Sequence, residues 1–261
     1  SIMQCTTCDI GLAGFKVFTS EPTSLAVETP NSLFNKIELF AKADSLNIPE
    51  KASIKSQPYG YTIELEKQES SICINPLLSH SESSQINGMV LENNQPGVLY
   101  HAVGVNGSGV NQYLRSNTIH DYLEVLKPEL VILSFGTNDC YVPTSKFCGS
   151  CILEKYRKLV QRVRASNPSV STLVTTTPDH FWHGRYSNPN IEKMNSILHQ
   201  LAEEERLAIW DLNKRMGGKG SIKQWQTEGL AGRDLIHFTK AGYMRLGDMF
   251  FSDLLREFHR E

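Results

Sequence analysis

Asp234 and His237 lie three residues apart in the stretch RDLIHFTKAGY, residues 233–243, just ahead of the last helical pattern of the chain. A carboxylate at that spacing can take the imidazole Nδ1–H, fix the tautomer and stabilise the imidazolium, leaving Nε2 free as a general base. The same spacing also serves a loop histidine beside a capping carboxylate. A second stretch, Gly136-Thr137-Asn138-Asp139, follows an apolar run. There an asparagine amide can point into a cleft as an oxyanion donor, or an Asx turn can start a helix. A third, Gly104-Val105-Asn106-Gly107-Ser108-Gly109, is a glycine-rich turn. It lacks the Gly-Lys-Ser/Thr ending of a phosphate loop and the GxGxxG spacing of a dinucleotide site. It reads either as a strand-to-helix turn or as a source of an oxyanion-binding amide.

These three stretches need strand ends and helix starts to hold them. The first hundred residues carry short candidate strands at 14–19, 25–29, 36–40, 61–66, 72–74 and 89–91, separated by Pro, Gly, Asn and Ser clusters. In 61–66, Ile63 and Leu65 alternate with Thr62, Glu64 and Glu66, the period of a half-buried strand. This pattern predicts an all-β sandwich or jelly roll. From about Pro96 the texture changes. The runs 98–105, 130–136, 171–178 and 207–212 read as strands, with 130–136 apolar enough to be buried on both sides. Helical stripes lie between and after them: Ile119, Tyr122, Leu123 and Leu126, ended by Pro128; Ile152, Tyr156, Leu159, Val160 and Val163; Ile191, Met194, Leu198 and Leu201; and Tyr243, Leu246, Phe250, Leu254 and Phe258, with Thr239 as N-cap. Such alternation predicts a parallel sheet with helices on both faces, an α/β fold.

The 261 residues suffice for one large or two modest domains. A formal net charge of −2 gives no electrostatic footprint for nucleic acid or an anionic membrane, and no apolar run approaches a membrane span. The chain opens with SIMQC and reads as processed or trimmed. Six cysteines include two CxxC pairs, Cys5/Cys8 and Cys148/Cys151, about which zinc, disulfide and free-thiol readings stay open. In the loop 178–185, Asp179, His180 and His183 have metal-like residue types, while Trp182 and Arg185 suit contact with a sugar, and Trp182 equally suits packing.

A GxxG turn, then GTND after an apolar strand, then DxxHFTxxGY before the last helix resembles, in that order, the SGNH (GDSL-type) hydrolase family over residues 97–261. The run from Met216-Gly217-Gly218 through Trp225 and Gly229-Leu230 to Asp234, His237 and Gly242-Tyr243 resembles the bacterial peptidoglycan O-acetyl esterase-like branch, whose hydrolase domain carries an inserted β-sandwich. The resemblance implies a flavodoxin-like parallel sheet flanked by helices at 96–261 and an N-terminal all-β jelly-roll or sandwich insert, similar to carbohydrate-binding modules, at 1–95. It implies Gly107 and Asn138 as oxyanion-hole donors, Asp234 and His237 as acid and base, and no metal or cofactor. It also implies an acylated carbohydrate or other small ester as substrate, and a periplasmic or secreted location.

The family's serine stands in a G-D-S block at the end of the first strand. The nearest string here is Ala43-Asp44-Ser45-Leu46, with Ala for Gly and further strands where the family has a helix. Ser108 adjoins the oxyanion glycine and Ser134 falls within the apolar strand. The expectation is a nucleophile segment upstream of residue 1, trimmed away or on a separate chain, whose absence leaves neighbouring strands without backbone partners. A non-catalytic glycan-binding or envelope fragment, and an acyltransferase with the same triad, are the competing readings.

Overall fold

The computed structural model describes residues 17–19, 24–49, 51–77, 84–116 and 119–259. The chain divides into two compact units, Ser1–Asn106 with Arg115–Leu126, and Gly107–Leu114 with Lys127–Glu261.

The first unit contains β1 (Val17–Thr19), β2 (Leu25–Glu28), β3 (Phe34–Lys42), β4 (Ser45–Asn47), β5 (Ala52–Gln57), β6 (Gly60–Glu69), β7 (Ser71–Leu77) and β8 (Ser84–Glu92). One sheet runs β1-β8-β3-β6-β5 and another β2-β7-β4, with antiparallel pairing throughout. Ile37, Leu39 and Ala41 alternate along β3, Ile63 and Leu65 along β6, and Ile72 and Ile74 along β7; they share one apolar cluster. Residues from both sheets meet there, and a one-residue slip of β3 or β6 would turn these side chains to the opposite face. The six expected strands fall on β1, β2, β3, β6, β7 and β8, although residues 14–16 of the first lie outside the described residues. β4 and β5 were not legible. β5 reads ASIKSQ with mostly exposed side chains, and its strand character comes from backbone pairing with β6.

Two helices follow, α1 (Val110–Leu114) and α2 (Ile119–Leu126). In α2, Ile119, Tyr122 and Leu123 are buried as the pattern predicts, and Tyr122 meets Phe40 edge-on at 4.6 Å. The expected strand at 98–105 is irregular, with Val98, Leu99 and Tyr100 exposed. A strand exists through its ladder, and no strand among the described residues pairs with this run.

The second unit holds β9 (Leu130–Leu133), α3 (Thr137–Cys140), α4 (Gly149–Ser166), β10 (Ser171–Thr175), β11 (Phe181–Trp182), β12 (Tyr186–Ser187), α5 (Ile191–Glu205), β13 (Ala208–Trp210), α6 (Leu212–Met216), α7 (Ser221–Thr227) and α8 (Lys240–Phe258). The parallel sheet has the order β13-β10-β9, with α4 connecting β9 to β10 and α5 connecting β10 to β13. This is the expected α/β alternation. The α4 and α5 stripes are buried at every expected position.

Two expectations fail. Rather than being buried on both sides, β9 alternates, with Leu130 and Ile132 exposed and Leu133 buried. Its sole strand neighbour among the described residues is β10, so its other edge and one face are open. On α8, Tyr243, Leu254 and Phe258 are exposed, while Gly242 and Met249 are buried. Leu246 and Phe250 of the expected stripe do pack, Leu246 against the core and Phe250 onto Trp210 at 5.0 Å; Asp253 accepts the Trp210 indole N–H, so the packed face takes in a polar residue and leaves out both ends of the stripe.

Thr239 does cap α8, its Oγ1 accepting the Gly242 N–H at 3.2 Å. A Cβ at 242 would fall inside the van der Waals shell of the Leu230 carbonyl. Gly242→Ala is therefore expected to destabilise the protein by roughly 1–3 kcal/mol in urea unfolding, the scale of core overpacking. Unchanged stability would contradict this packing.

Candidate active site

The Asp234–His237 turn is built by short-range bonds. Asp234 Oδ1 accepts the backbone N–H groups of Ile236 at 3.0 Å and His237 at 3.1 Å, and Oδ2 accepts His237 Nδ1–H at 2.7 Å. That assignment leaves Nε2 with its lone pair, and no partner for it occurs among the described residues. Gly232 N–H donates to His237 O at 2.7 Å, and Ala231 bridges to Phe238. Between the two site residues, Leu235 adopts a left-handed φ of 55°. It is held there by burial against a cluster that includes Met216, Trp225 and Met249. The His237 and Asp234 side chains are 73% and 47% exposed, so the dyad opens to the surface. Burial alone would raise the Asp234 carboxyl, but the His237 ring and the two backbone N–H donors outweigh it and hold it below the ordinary value.

The second constellation joins Gly107–Ser108 to Asn138. The Asn138 Nδ2 donates to Ser108 O at 3.0 Å. Gly107 has φ +77°, next to this contact. Asp139, adjacent to Asn138, receives Val110 N–H at 3.0 Å, Gly136 N–H at 3.2 Å and Tyr156 Oη–H at 3.3 Å. Burial pushes its carboxyl up, opposed by those donors. Asp139 thus ties the start of α1, the start of α3 and the middle of α4 to one group. Gly136, with φ +111°, brings the chain from β9 into α3, in a conformation that a side chain would strain.

A third network secures the loop beyond α3. Asn188 Nδ2 donates to Cys140 O at 3.2 Å and to His180 Nε2 at 2.9 Å, so His180 carries its proton on Nδ1, which donates to Pro178 O at 3.0 Å. Burial lowers the His180 pKa and keeps the ring neutral. Asn190 donates to Cys140 O and Val142 O. Phe181 N–H donates to Leu235 O at 2.9 Å, linking this network to the Asp234–His237 turn.

Asp179 and His180 are buried, so the first half of the 178–185 loop is structural; Asp179 Oδ2 accepts Gly220 N–H and Ile222 N–H at the start of α7. Ser45 begins β4, an antiparallel strand paired with β7, and so has no parallel-strand end behind it. Ser134 follows β9 instead of lying inside a buried strand, and its Oγ accepts Thr175 Oγ1–H at 3.0 Å. Cys148 and Cys151 form a disulfide, while Cys5 and Cys8 lie outside the described residues. Cys140 is a free thiol, and burial, with the nearby Asp139 charge, pushes its pKa up to about 12, so it is no nucleophile. No group of three or more metal-ligating side chains occurs among the described residues, and no described helix is long and apolar enough to cross a membrane.

Asp139 and the Asn188–His180 pair were missed as site supports. The one sequence signal for Asp139 was its place beside Asn138 after an apolar strand. Asp139→Ala leaves two backbone N–H groups and a tyrosine hydroxyl without their acceptor. It is expected to cost roughly 3 kcal/mol in chemical denaturation and to speed hydrogen exchange at Val110 and Gly136; slow exchange there would contradict the role. For Asp234, carboxyl ¹³C titration is expected to give a midpoint below the ordinary 3.8, moving upward in His237→Ala. The contact is intact above the ordinary value and is lost as pH falls through the lowered one. A wild-type midpoint at or above 3.8 would refute it.

Residues 80–245 match the model of the GDSL-like lipase/acylhydrolase family. A solved peptidoglycan O-acetylesterase is similar in fold, with TM-score 0.86 and 22% identity over 100% of this chain and 75% of that one. A carbohydrate esterase family 3 protein from Talaromyces cellulolyticus aligns at TM-score 0.46 and 20% identity, covering 62% of this chain and 76% of its own. A lipase/acylhydrolase from Enterococcus faecalis aligns at 0.44 and 19%, covering 57% and 71%. These last two alignments are too partial to carry an argument. No curated protein matches the chain. The family match spans more than half of the residues and takes in both the glycine turn and the Asp–His turn, and the chain belongs to the GDSL-like lipase/acylhydrolase family of ester hydrolases.

Proposed function

We propose that this chain carries the acid–base and oxyanion parts of a serine esterase that removes short acyl groups, acetyl above all, from a carbohydrate or cell-wall polymer. The observation that carries the reading is the 2.7 Å Asp234–His237 bond, which leaves Nε2 as the basic atom at the surface of an acylhydrolase-family chain. His237 Nε2 takes the proton of a serine hydroxyl, and the serine oxygen attacks the ester carbonyl. The Gly107 amide and the Asn138 side chain donate to the tetrahedral oxyanion, each such donor typically contributing about 3–4 kcal/mol. The imidazolium, held by Asp234, returns its proton to the leaving alcohol. A water, deprotonated by His237, then releases the carboxylate and restores the serine.

The open edge of β9 supports a further element of the reading. A strand bearing the serine pairs along that edge and covers Leu130 and Ile132. In the family order it precedes residue 1, in the same polypeptide or as a separate chain. In this reading residues 1–95 form the inserted sandwich and 96–261 the hydrolase domain. The Cys148–Cys151 disulfide suits a periplasmic or secreted protein.

In the protein joined to its serine-bearing strand, His237→Ala is expected to lower kcat/KM on 4-nitrophenyl acetate by about a thousandfold or more. Thermal stability should hold, because the ring is exposed. Retained hydrolysis would overturn the assignment of the base.

A further inference from the structure

A small aromatic cleft that the catalytic scheme does not use sits on the β11–β12 hairpin. Its turn, Trp182-His183-Gly184-Arg185, places both central residues at left-handed φ, 49° and 68°, and closes with Arg185 N–H on Trp182 O at 3.0 Å. Trp182 and Tyr186 are direct cross-strand partners, so they share a face of the hairpin. Tyr141 and His183 each lie 4.6 Å from Trp182, and His183 N–H donates to Tyr141 Oη at 2.9 Å. Trp182, His183, Arg185 and Tyr186 line a concavity. Tyr186, His183 and Arg185 are exposed, and Trp182 is half-buried. Among the described residues, neither the Trp182 indole N–H nor the Arg185 guanidinium has a hydrogen-bond or ion-pair partner.

The hairpin is also rigidly rooted. Asn188 N–H donates to His180 O at 2.9 Å, behind the buried His180–Asn188 pair, so the aromatic rings are held before any ligand arrives. Its position is informative as well. Phe181 ties the hairpin to the Asp234–His237 turn, and Tyr141 directly follows the helix that carries Asn138.

We infer that Tyr141, Trp182, His183, Arg185 and Tyr186 form a saccharide subsite, in which a pyranose ring stacks its C–H face on the aromatic surface while Arg185 and the Trp182 N–H donate to its hydroxyl or carboxyl oxygens. The chemistry selects this ligand class. A lipid tail gains nothing from unpartnered donors on the rim of its groove. A nucleic acid backbone needs several cations, and this cleft offers one, on a chain of net charge −2. A sugar needs both an apolar face and a few directed donors, as small-ligand sites provide. The proposal deepens the esterase reading and rests on it for the idea that this sugar belongs to the acylated substrate; the binding itself does not depend on catalysis.

The test is titration of the chain with xylotetraose and with tetra-N-acetylchitotetraose, followed by tryptophan fluorescence and calorimetry. At least one of the two should bind. Arg185→Ala and Tyr186→Ala, both at exposed positions, and Trp182→Ala, checked for an unchanged melting curve, should each weaken binding about tenfold, the scale of one lost stacking or charged contact. In the active protein the same variants should raise KM on the acetylated polymer of whichever oligosaccharide binds. Binding of neither oligosaccharide, or equal binding by Arg185→Ala and Tyr186→Ala, would overturn the subsite. Saccharide binding without any ester hydrolysis by the serine-complete protein would leave the subsite standing and overturn the esterase reading instead.

Discussion

One buried carboxylate ties together three segments of the second unit. Asp139 gathers donors from Val110, Gly136 and Tyr156, residues up to 46 positions apart in sequence, and those donors offset part of the cost of burying its charge. Through them the glycine-rich turn, the turn after β9 and helix α4 share one anchor. Asn138, one residue before it, can then reach Ser108 O, and Gly107 and Asn138 become neighbours instead of two separate loop residues. An uncompensated carboxylate there would be expensive, so the three segments hold or loosen together.

The Asp234–His237 turn follows a different principle. Asp234 and His237 are positioned by bonds within a few residues, and the turn is fixed from outside by the buried Leu235 side chain and by Phe181 N–H on Leu235 O. The left-handed Leu235 is affordable because that side chain lies in a core with Trp225 and Met249. The buried His180–Asn188 pair, kept neutral, carries the connection onward to Cys140 O and the segment after α3. The two constellations are thus held by one local turn and one long-range anchor, linked by a polar network.

This contrast explains what the sequence made legible. The Asp–His pair could be read directly, since its geometry is set by a spacing of three. The α4 and α5 faces could be read because both helices bury a full stripe at a period near 3.6. The six strands with apolar alternation were visible, while β5 was not, because pairing and not burial makes it a strand. The roles of Asp139 and Asn188 rest on contacts across 29 and 48 residues, which no local pattern encodes. The α8 face was legible only at Leu246 and Phe250, because Asp253, a polar residue, joins the packed side through Trp210, while Tyr243 and Phe258 face outward. The runs 98–105 and 130–136 have the apolar composition of buried strands. Composition signals the wish for a ladder and a cover, and among the described residues the first lacks the ladder and the second lacks one neighbour and one cover.

In the proposed reading, the open side of β9 and the unpartnered Nε2 of His237 are both met by a strand that ends in a serine. The most direct measurement is fluorophosphonate labelling of the protein extended upstream to include that strand, with the modified residue mapped by mass spectrometry. The account predicts a single labelled serine outside residues 1–261, lost in His237→Ala. Labelling of Ser45, Ser108 or Ser134, or labelling that persists without His237, would contradict it.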